Sequence, residues 1–245
     1  MLIKTNDVTN IPTSAQIVPP ATGCEILLLM GSSGNKAFNR IAGKSNPTIV
    51  GSPVDSTGYT TFKASANYMQ TATKEAASQT LIAVGRFLDD GSVSSKAGAL
   101  YGTYNNPLVG SNPANYSGGV FMAQGNGTVQ AGAQRQVSNG TIESGLQTIT
   151  QSTNGSWALY THEIPVNAGT KFTNQTTGGV VQGSSTNTHL ITDAFLRVGS
   201  DYFARGGQTD IAFFAMFSRT LTTQEMTDVL AWARAIVLEQ AGITV

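Results

Sequence analysis

Apolar residues in this chain gather in short stretches, most of them alternating with polar ones. Glu25–Met30 (EILLLM) is short and continuous, as a strand buried on both faces reads. Thr48–Val50 gives a weak strand, YTTFKAS and NYMQTAT alternate, and SQTLIAVGRFL predicts a long strand ended by Asp89-Asp90-Gly91. Further strands are expected at TKFTNQ, AFLRVGS and TDIAFFAMFS. Their flanks are β-branched or aromatic, which suits a pleated, half-buried surface. No stretch between Leu2 and Ser218 carries a helical period.

Turn chemistry punctuates the middle of the chain. Asn126-Gly127, Asn139-Gly140 and Asn154-Gly155 each separate two alternating runs. Asn-Gly supplies the positive φ angles of a type I′ turn, so each pair predicts a hairpin. With Asp90-Gly91 they predict an antiparallel meander.

The end of the chain changes period. TDIAFFAMFS is apolar on both faces and therefore central, with Ile211 and Phe213 on one face and Phe214 and Met216 on the other. Thr222 and Glu225 then form a capping box, each satisfying a free backbone N–H of a helix start. Met226, Val229, Leu230, Ala233, Ile236 and Val237 recur at helical spacing. A helix over 222–239 is predicted, lying across a sheet or closing one end of a sandwich. At the other end, residues 1–20 carry Pro12, Pro19 and Pro20 and read as an extended N-terminal arm. Residues 21–245 read as one domain.

Composition narrows the partners. Of the 245 residues only 11% are charged and the net charge is zero, against about 25% charged in a typical soluble domain. No basic stripe is present, which argues against nucleic acid and against an anionic membrane surface. The longest apolar run, Ile26–Met30, is too short to span a bilayer. A single cysteine, Cys24, excludes an intrachain disulfide and reads as a small core residue. The first twenty residues hold no apolar signal core, so synthesis in a cytosol is expected.

The closing segment, GQTDIAFFAMFSRTLTTQEMTDVLAW, resembles the last strand and helix of laminin-G-like members of the concanavalin A-like jelly-roll superfamily. YTTFKASANYMQTA, QTLIAVGRF, GSWALYTHEI and AFLRVGSDY are similar to its earlier strands, in the family's order, over roughly residues 24–240. The resemblance implies two curved antiparallel sheets, with ligands on the concave face or rim loops. The fold class expected is all-β: a two-sheet antiparallel jelly-roll sandwich with one C-terminal amphipathic helix.

That superfamily includes glucanases, lectins and adhesive modules. Retaining glycosidases need two carboxylates about 5 Å apart. No Glu here has a second acid close by on an expected strand, and Glu225 with Asp228 belongs to the helix cap and its solvated face. No catalytic residue is assigned and no cofactor is expected. Asp89 and Asp90 are the weak candidates for Ca²⁺, though a turn explains them as well. His162 and His189 are too few for a zinc site.

The most suggestive stretch is Ala99–Gly119, ALYGTYNNPLVGSNPANYSGG. Tyr101, Tyr104, Asn105, Asn106, Asn115 and Tyr116 are the candidate glycan- or partner-binding residues. Aromatic faces with amide groups suit a sugar, and the same composition serves a protein contact or a core with turns. The expected function is that of a non-enzymatic, lectin-like structural component of a bacteriophage virion, at tail or capsid. It would be anchored to other virion proteins through residues 1–20, self-associated as a homo-oligomer (a trimer on a fibre), and able to contact host-surface polysaccharide. A stand-alone carbohydrate-binding module is the alternative, and a glucanase-like hydrolase ranks third.

Overall fold

The computed structural model describes residues 2–3, 16–31, 36–107, 117–125, 128–136, 142–150 and 154–245. Among these residues two large antiparallel sheets pack face to face. The seven-stranded sheet runs in the order Gln147–Thr150, Thr128–Gly132, Phe121–Gly125, Ala99–Gly102, Phe195–Val198, Tyr68–Lys74, Thr48–Val50. The eight-stranded sheet runs Gly179–Gln182, Lys171–Asn174, Ala158–Ile164, Gln79–Phe87, Gln208–Phe217, Tyr59–Lys63, Val54–Ser56, with Cys24–Leu29 also paired to Gln208–Phe217. The all-β sandwich with a C-terminal helix is thus observed.

Three layers result. Ile26, Leu28, Leu81, Ala83, Phe214 and Met216 meet Met69, Leu100, Tyr101, Met122 and Val198 between the sheets. Leu27, Leu29, Ile82, Val84, Phe213 and Phe217 point the other way and are covered by the helix. The helix spans Thr223–Ala241 and lies across the outer face of the eight-stranded sheet, with Trp232 edge-on to Phe213 at 5.8 Å. Its capping box is present as read: Thr222 Oγ1 accepts from Glu225 N, and Thr222 N donates to Glu225 Oε2 at 2.9 Å. Arg219 forks onto the same carboxylate and, with the cap bonds, holds it down to about pKa 2. Gly242, at φ 64°, ends the helix in the left-handed conformation.

Two expectations are corrected. The strand Gln208–Phe217 carries a bulge: Ile211 pairs with Gly85 and Phe213 with Val84, leaving Ala212 unpaired between them. The extra residue reverses the alternation, so Ile211 faces the inner core with Phe214 and Met216 rather than sharing the side of Phe213. The turn signals also divide. Gly125 pairs with Thr128 and Gln136 with Ile142, so hairpins form about Asn126-Gly127 and Asn139-Gly140, which themselves lie outside the described residues. Asp90-Gly91 and Asn154-Gly155 instead carry the chain from one sheet to the other. There the glycines take φ of 63° and 79°, and Gly155 N donates to Phe87 O at 2.7 Å.

Part of the expected arm belongs to the body. Gln16–Ile17 pairs in parallel with Leu2–Ile3. Ile17 is buried in the outer cluster, and its N–H donates to Arg40 O at 2.8 Å.

One end of the inter-sheet space is polar. Glu75 Oε1 accepts from the hydroxyls of Thr103 and Thr192, and Glu75 Oε2 faces His189 Nε2 at 3.5 Å, both side chains wholly buried. His162 Nδ1 lies 2.9 Å from the Tyr101 hydroxyl. Burial, followed by the charges of His189 and Arg135, pushes the His162 pKa down from 6.5 to about 3. Between those values the unfolded chain binds more protons at this site than the folded chain, so acidification costs stability. The slope contributed approaches about 1.4 kcal/mol per pH unit. Urea unfolding from pH 7 to pH 5 should show a steeper stability loss in the native chain than in His162→Gln; identical slopes would assign the acid sensitivity elsewhere.

Candidate functional site

The helix covers one outer face of the sandwich. The opposite outer face, on the seven-stranded sheet, is where aromatic and charged side chains converge. Strand register places one row of residues across it: Thr48 opposite Gln70, Gln70 opposite Arg197, Arg197 opposite Gly102, Gly102 opposite Phe121, and Phe121 opposite Gly132. The two glycines of that row make room for neighbours. A Cβ on Gly102 would stand 2.7 Å from Asp201 Cβ, and one on Gly132 would stand 2.6 Å from Phe121 Cε1. Asp201 therefore sits on the strand backbone at Gly102, where any larger residue would displace it.

Asp201 organises two arginines. Its Oδ2 accepts from Arg205 Nε at 2.7 Å, its Oδ1 from Phe203 N at 3.0 Å, and its backbone oxygen from Arg197 Nη1 at 3.0 Å. The carboxyl is fully buried. Burial raises its pKa, and the charges of Arg205 and Arg197 pull against that shift. Arg197 is clamped between two rings, 3.4 Å from the Tyr202 centroid and 4.4 Å from that of Tyr68, while its Nε donates to Gln70 Oε1 at 3.1 Å. The Tyr202 hydroxyl donates to Phe195 O at 2.9 Å. Guanidinium stacking of this kind adds cation–π attraction and fixes the plane of the fork.

Arg205 links this clamp to a second aromatic group. It lies over Phe121 at 5.6 Å and over Phe203 at 5.2 Å. The Tyr104 ring packs against Phe121 at 4.9 Å and Phe203 at 6.0 Å. Phe203 remains 37% exposed. Arg205 also lines a groove of about 400 Å³ formed by Gly91–Ser94, Ala97, Gln124, Gly125 and Gln130. Gly91 lets its loop close over Gln124, since a Cβ there would fall 2.4 Å from Gln124 Cγ. Rigid aromatic rings beside amides and oriented guanidinium groups form a surface that can stack an amphipathic ring and hydrogen-bond its edge.

The residues expected from the sequence separate here. Tyr104 stands at the site. Tyr101 is fully buried, its hydroxyl turned to His162, so its ring is core and offers no face to a ligand. Asn105 is exposed and left-handed at φ 74°, whereas Asn106 opens a two-residue strand opposite Gly118 and its Nδ2 donates to Thr103 O at 2.8 Å. Asn115 and Tyr116 lie outside the described residues. Asp90 Oδ1 accepts from Ser92 N and Oγ, its Oδ2 faces Lys96, and Asp89 Oδ2 accepts from Gln208 N. Both oxygens of Asp90 thus meet groups of its own turn, and one oxygen of Asp89 ties that turn to the strand at Gln208. Among the described residues no three His, Cys, Asp or Glu side chains come together as a metal site. Tyr68, Arg197, Tyr202, Phe203 and Arg205 were not anticipated. Their one local signal is an aromatic pair, Tyr202-Phe203, standing outside any strand between two arginines.

Gly102→Ala should drive Asp201 off the strand and loosen both arginines, at a cost of about 1–3 kcal/mol as expected for overpacking. Urea denaturation tests this, and an unchanged midpoint would show that Asp201 is not seated on Gly102.

No protein-family model and no curated sequence matches the chain. Solved structures do. The receptor-binding domain of botulinum neurotoxin D matches with a TM-score of 0.57 and 11% identity, over 86% of this chain and 52% of that one. The serotype D ligand-binding domain in complex with N-acetylneuraminic acid matches with a TM-score of 0.55 and 11% identity, over 86% and 50%. The binding domain of botulinum neurotoxin DC in complex with SialylT matches with a TM-score of 0.59 and 8% identity, over 86% and 51%. The chain spans about half the length of these neighbours, and at such identities the likeness is one of fold: a β-sandwich.

Proposed function

We propose that this chain is a non-enzymatic, lectin-like module that binds glycans on the outer face of its seven-stranded sheet. The observation that carries the reading is the exposed Phe203 ring, held beside Tyr104 and Arg205 at the edge of a groove lined by Ser92, Ser94 and Gln130. Apolar sugar faces pack on such rings, and amides satisfy the hydroxyls in the plane. The neurotoxin domains of similar fold, two of them in complex with N-acetylneuraminic acid and SialylT, support it by analogy alone.

The sandwich is read as a concanavalin A-like jelly roll, on the sequence resemblance of its closing strand and capped helix. The module's setting is read as a phage virion, supported by the 11% charge content and the proline-bearing first twenty residues. There it would act as a homo-oligomer tethered through its N-terminal segment. Because Ile17 is buried in the body, the tether to remove is residues 1–15. That truncation should stay folded and fail to join its assembly; normal incorporation would refute the tether.

A glycan array should yield bound saccharides, and Phe203→Ala should weaken them by about tenfold, equivalent to about 1.4 kcal/mol, with thermal stability little changed. An array without hits, or hits indifferent to Phe203→Ala, would refute the site.

A further inference from the structure

We propose that the ligand is an acidic oligosaccharide laid across the strands, with its carboxylate or sulfate groups read by Arg197 and Arg205. This inference rests on the glycan-binding reading and goes further by naming the class of sugar and its direction.

The arginine forks are the first support. On a protein with so few charges, this face gathers Arg197, Arg205 and Lys74. Lys74 pairs with the exposed Asp193, whereas the buried Asp201 meets Arg205 with its carboxylate and Arg197 with its backbone oxygen. Asp89, Asp90 and Lys96 on the turn that edges the groove bring the formal charges into balance, so the support is the orientation of the arginine forks and not a net charge. Each guanidinium spends only part of its fork internally. Arg197 uses Nε and Nη1, on Gln70 and on the backbone of Asp201. Arg205 uses Nε on Asp201 and Nη1 on the Gln124 carbonyl at 3.4 Å. Among the described residues Nη2 of either arginine has no hydrogen-bond partner. The internal bonds and the stacked rings fix the planes, so the remaining donors are pre-oriented for an incoming anion. A planar fork of this kind matches carboxylate and sulfate oxygens better than a flexible ammonium does.

Geometry gives the direction. Gln70, Arg197, Gly102, Phe121 and Gly132 share one row across five strands. Four strand spacings of about 4.8 Å make that row about 19 Å long, more than one sugar ring can occupy. Rings and guanidiniums alternate along it: Tyr68 and Tyr202 about Arg197, then Phe203, Phe121 and Tyr104 about Arg205, then the groove at Gln130. The two glycines keep the row low where bulkier residues would raise it. A chain molecule with repeated rings and repeated negative charges fits this alternation, whereas a single terminal sugar would use only one station.

The test uses the full chain against neutral, carboxylated and sulfated oligosaccharides, followed by titration of the hits in a length series. Acidic chains should bind at least about tenfold more tightly than their carboxyl-reduced or desulfated forms. Affinity should rise with length from the disaccharide upward and fall as salt screens the charges. Arg197→Gln and Arg205→Gln should each remove most of the acidic preference. Arg197→Lys, which keeps the charge and loses the fork, should leave a reduced preference, and it serves where a glutamine variant fails to fold. Which chemical form loses affinity on reduction or desulfation tells carboxylate from sulfate. Neutral sugars bound as tightly as acidic ones, with Phe203→Ala still weakening them, would overturn this inference and leave the lectin reading intact. Acidic binding indifferent to every arginine variant, or to chain length, would also overturn it. No saccharide binding at all would overturn both.

Discussion

The structure depends on one strand being buried on both faces. Gln208–Phe217 pairs with Gln79–Phe87 along one edge and with Tyr59–Lys63 and Cys24–Leu29 along the other. All its residues after Gln208 are buried. Such a strand needs apolar cover above and below. The seven-stranded sheet supplies one layer and the C-terminal helix the other. That explains why a nearly all-β chain ends in a helix: without it, Phe213, Ala215 and Phe217 would face water. Exposing a large side chain of that kind forfeits about 1.5–3 kcal/mol. The helix in turn is fixed at its start by local bonds between Thr222, Glu225 and Arg219.

Covering one side leaves the outer face of the seven-stranded sheet uncovered by the helix. The seven-stranded sheet buries its inner face against the core and turns Arg197, Gln70 and Phe121 outward. The glycine at 102 is what lets the Asp201 loop fold back onto that face. Asp201 is costly to bury alone. It is tolerated because Arg205 Nε and Phe203 N donate to it, and the same bonds hold Phe203 at the surface. The order of the candidate site is thus coupled to a buried ion pair, and its rings are pre-positioned rather than recruited.

Much of the fold was legible because its signals are local. A capping box occupies four consecutive positions, and alternation in SQTLIAVGRFL needs no partner to be recognised. Antiparallel pairs flank Asn126-Gly127 and Asn139-Gly140, as the turn signals predict. The same chemistry at Asn154-Gly155 and Asp90-Gly91 serves a crossing between sheets, and nothing within the turn tells the two uses apart. The bulge at Ala212 is equally silent. It arises where the strand changes partners, from Tyr59–Lys63 to Cys24–Leu29, and that change is a property of register rather than of residue type.

The site was legible only in part, for the same reason. The aromatic and amide composition of Ala99–Gly119 singles out Tyr104, which packs beside Phe121 and Phe203, and Tyr101, which is core. Both are tyrosines beside turn residues; what separates them is which way the strand faces at Tyr101, which Met122 and Val198 fix from the neighbouring strands. Arg197, on AFLRVGS, reads in isolation as an ordinary solvent-facing cation. It becomes half of a clamp only because antiparallel pairing brings Gln70, 127 residues away, opposite it. A face built by register across five strands is therefore written in pairings, and composition reveals its ingredients without their arrangement.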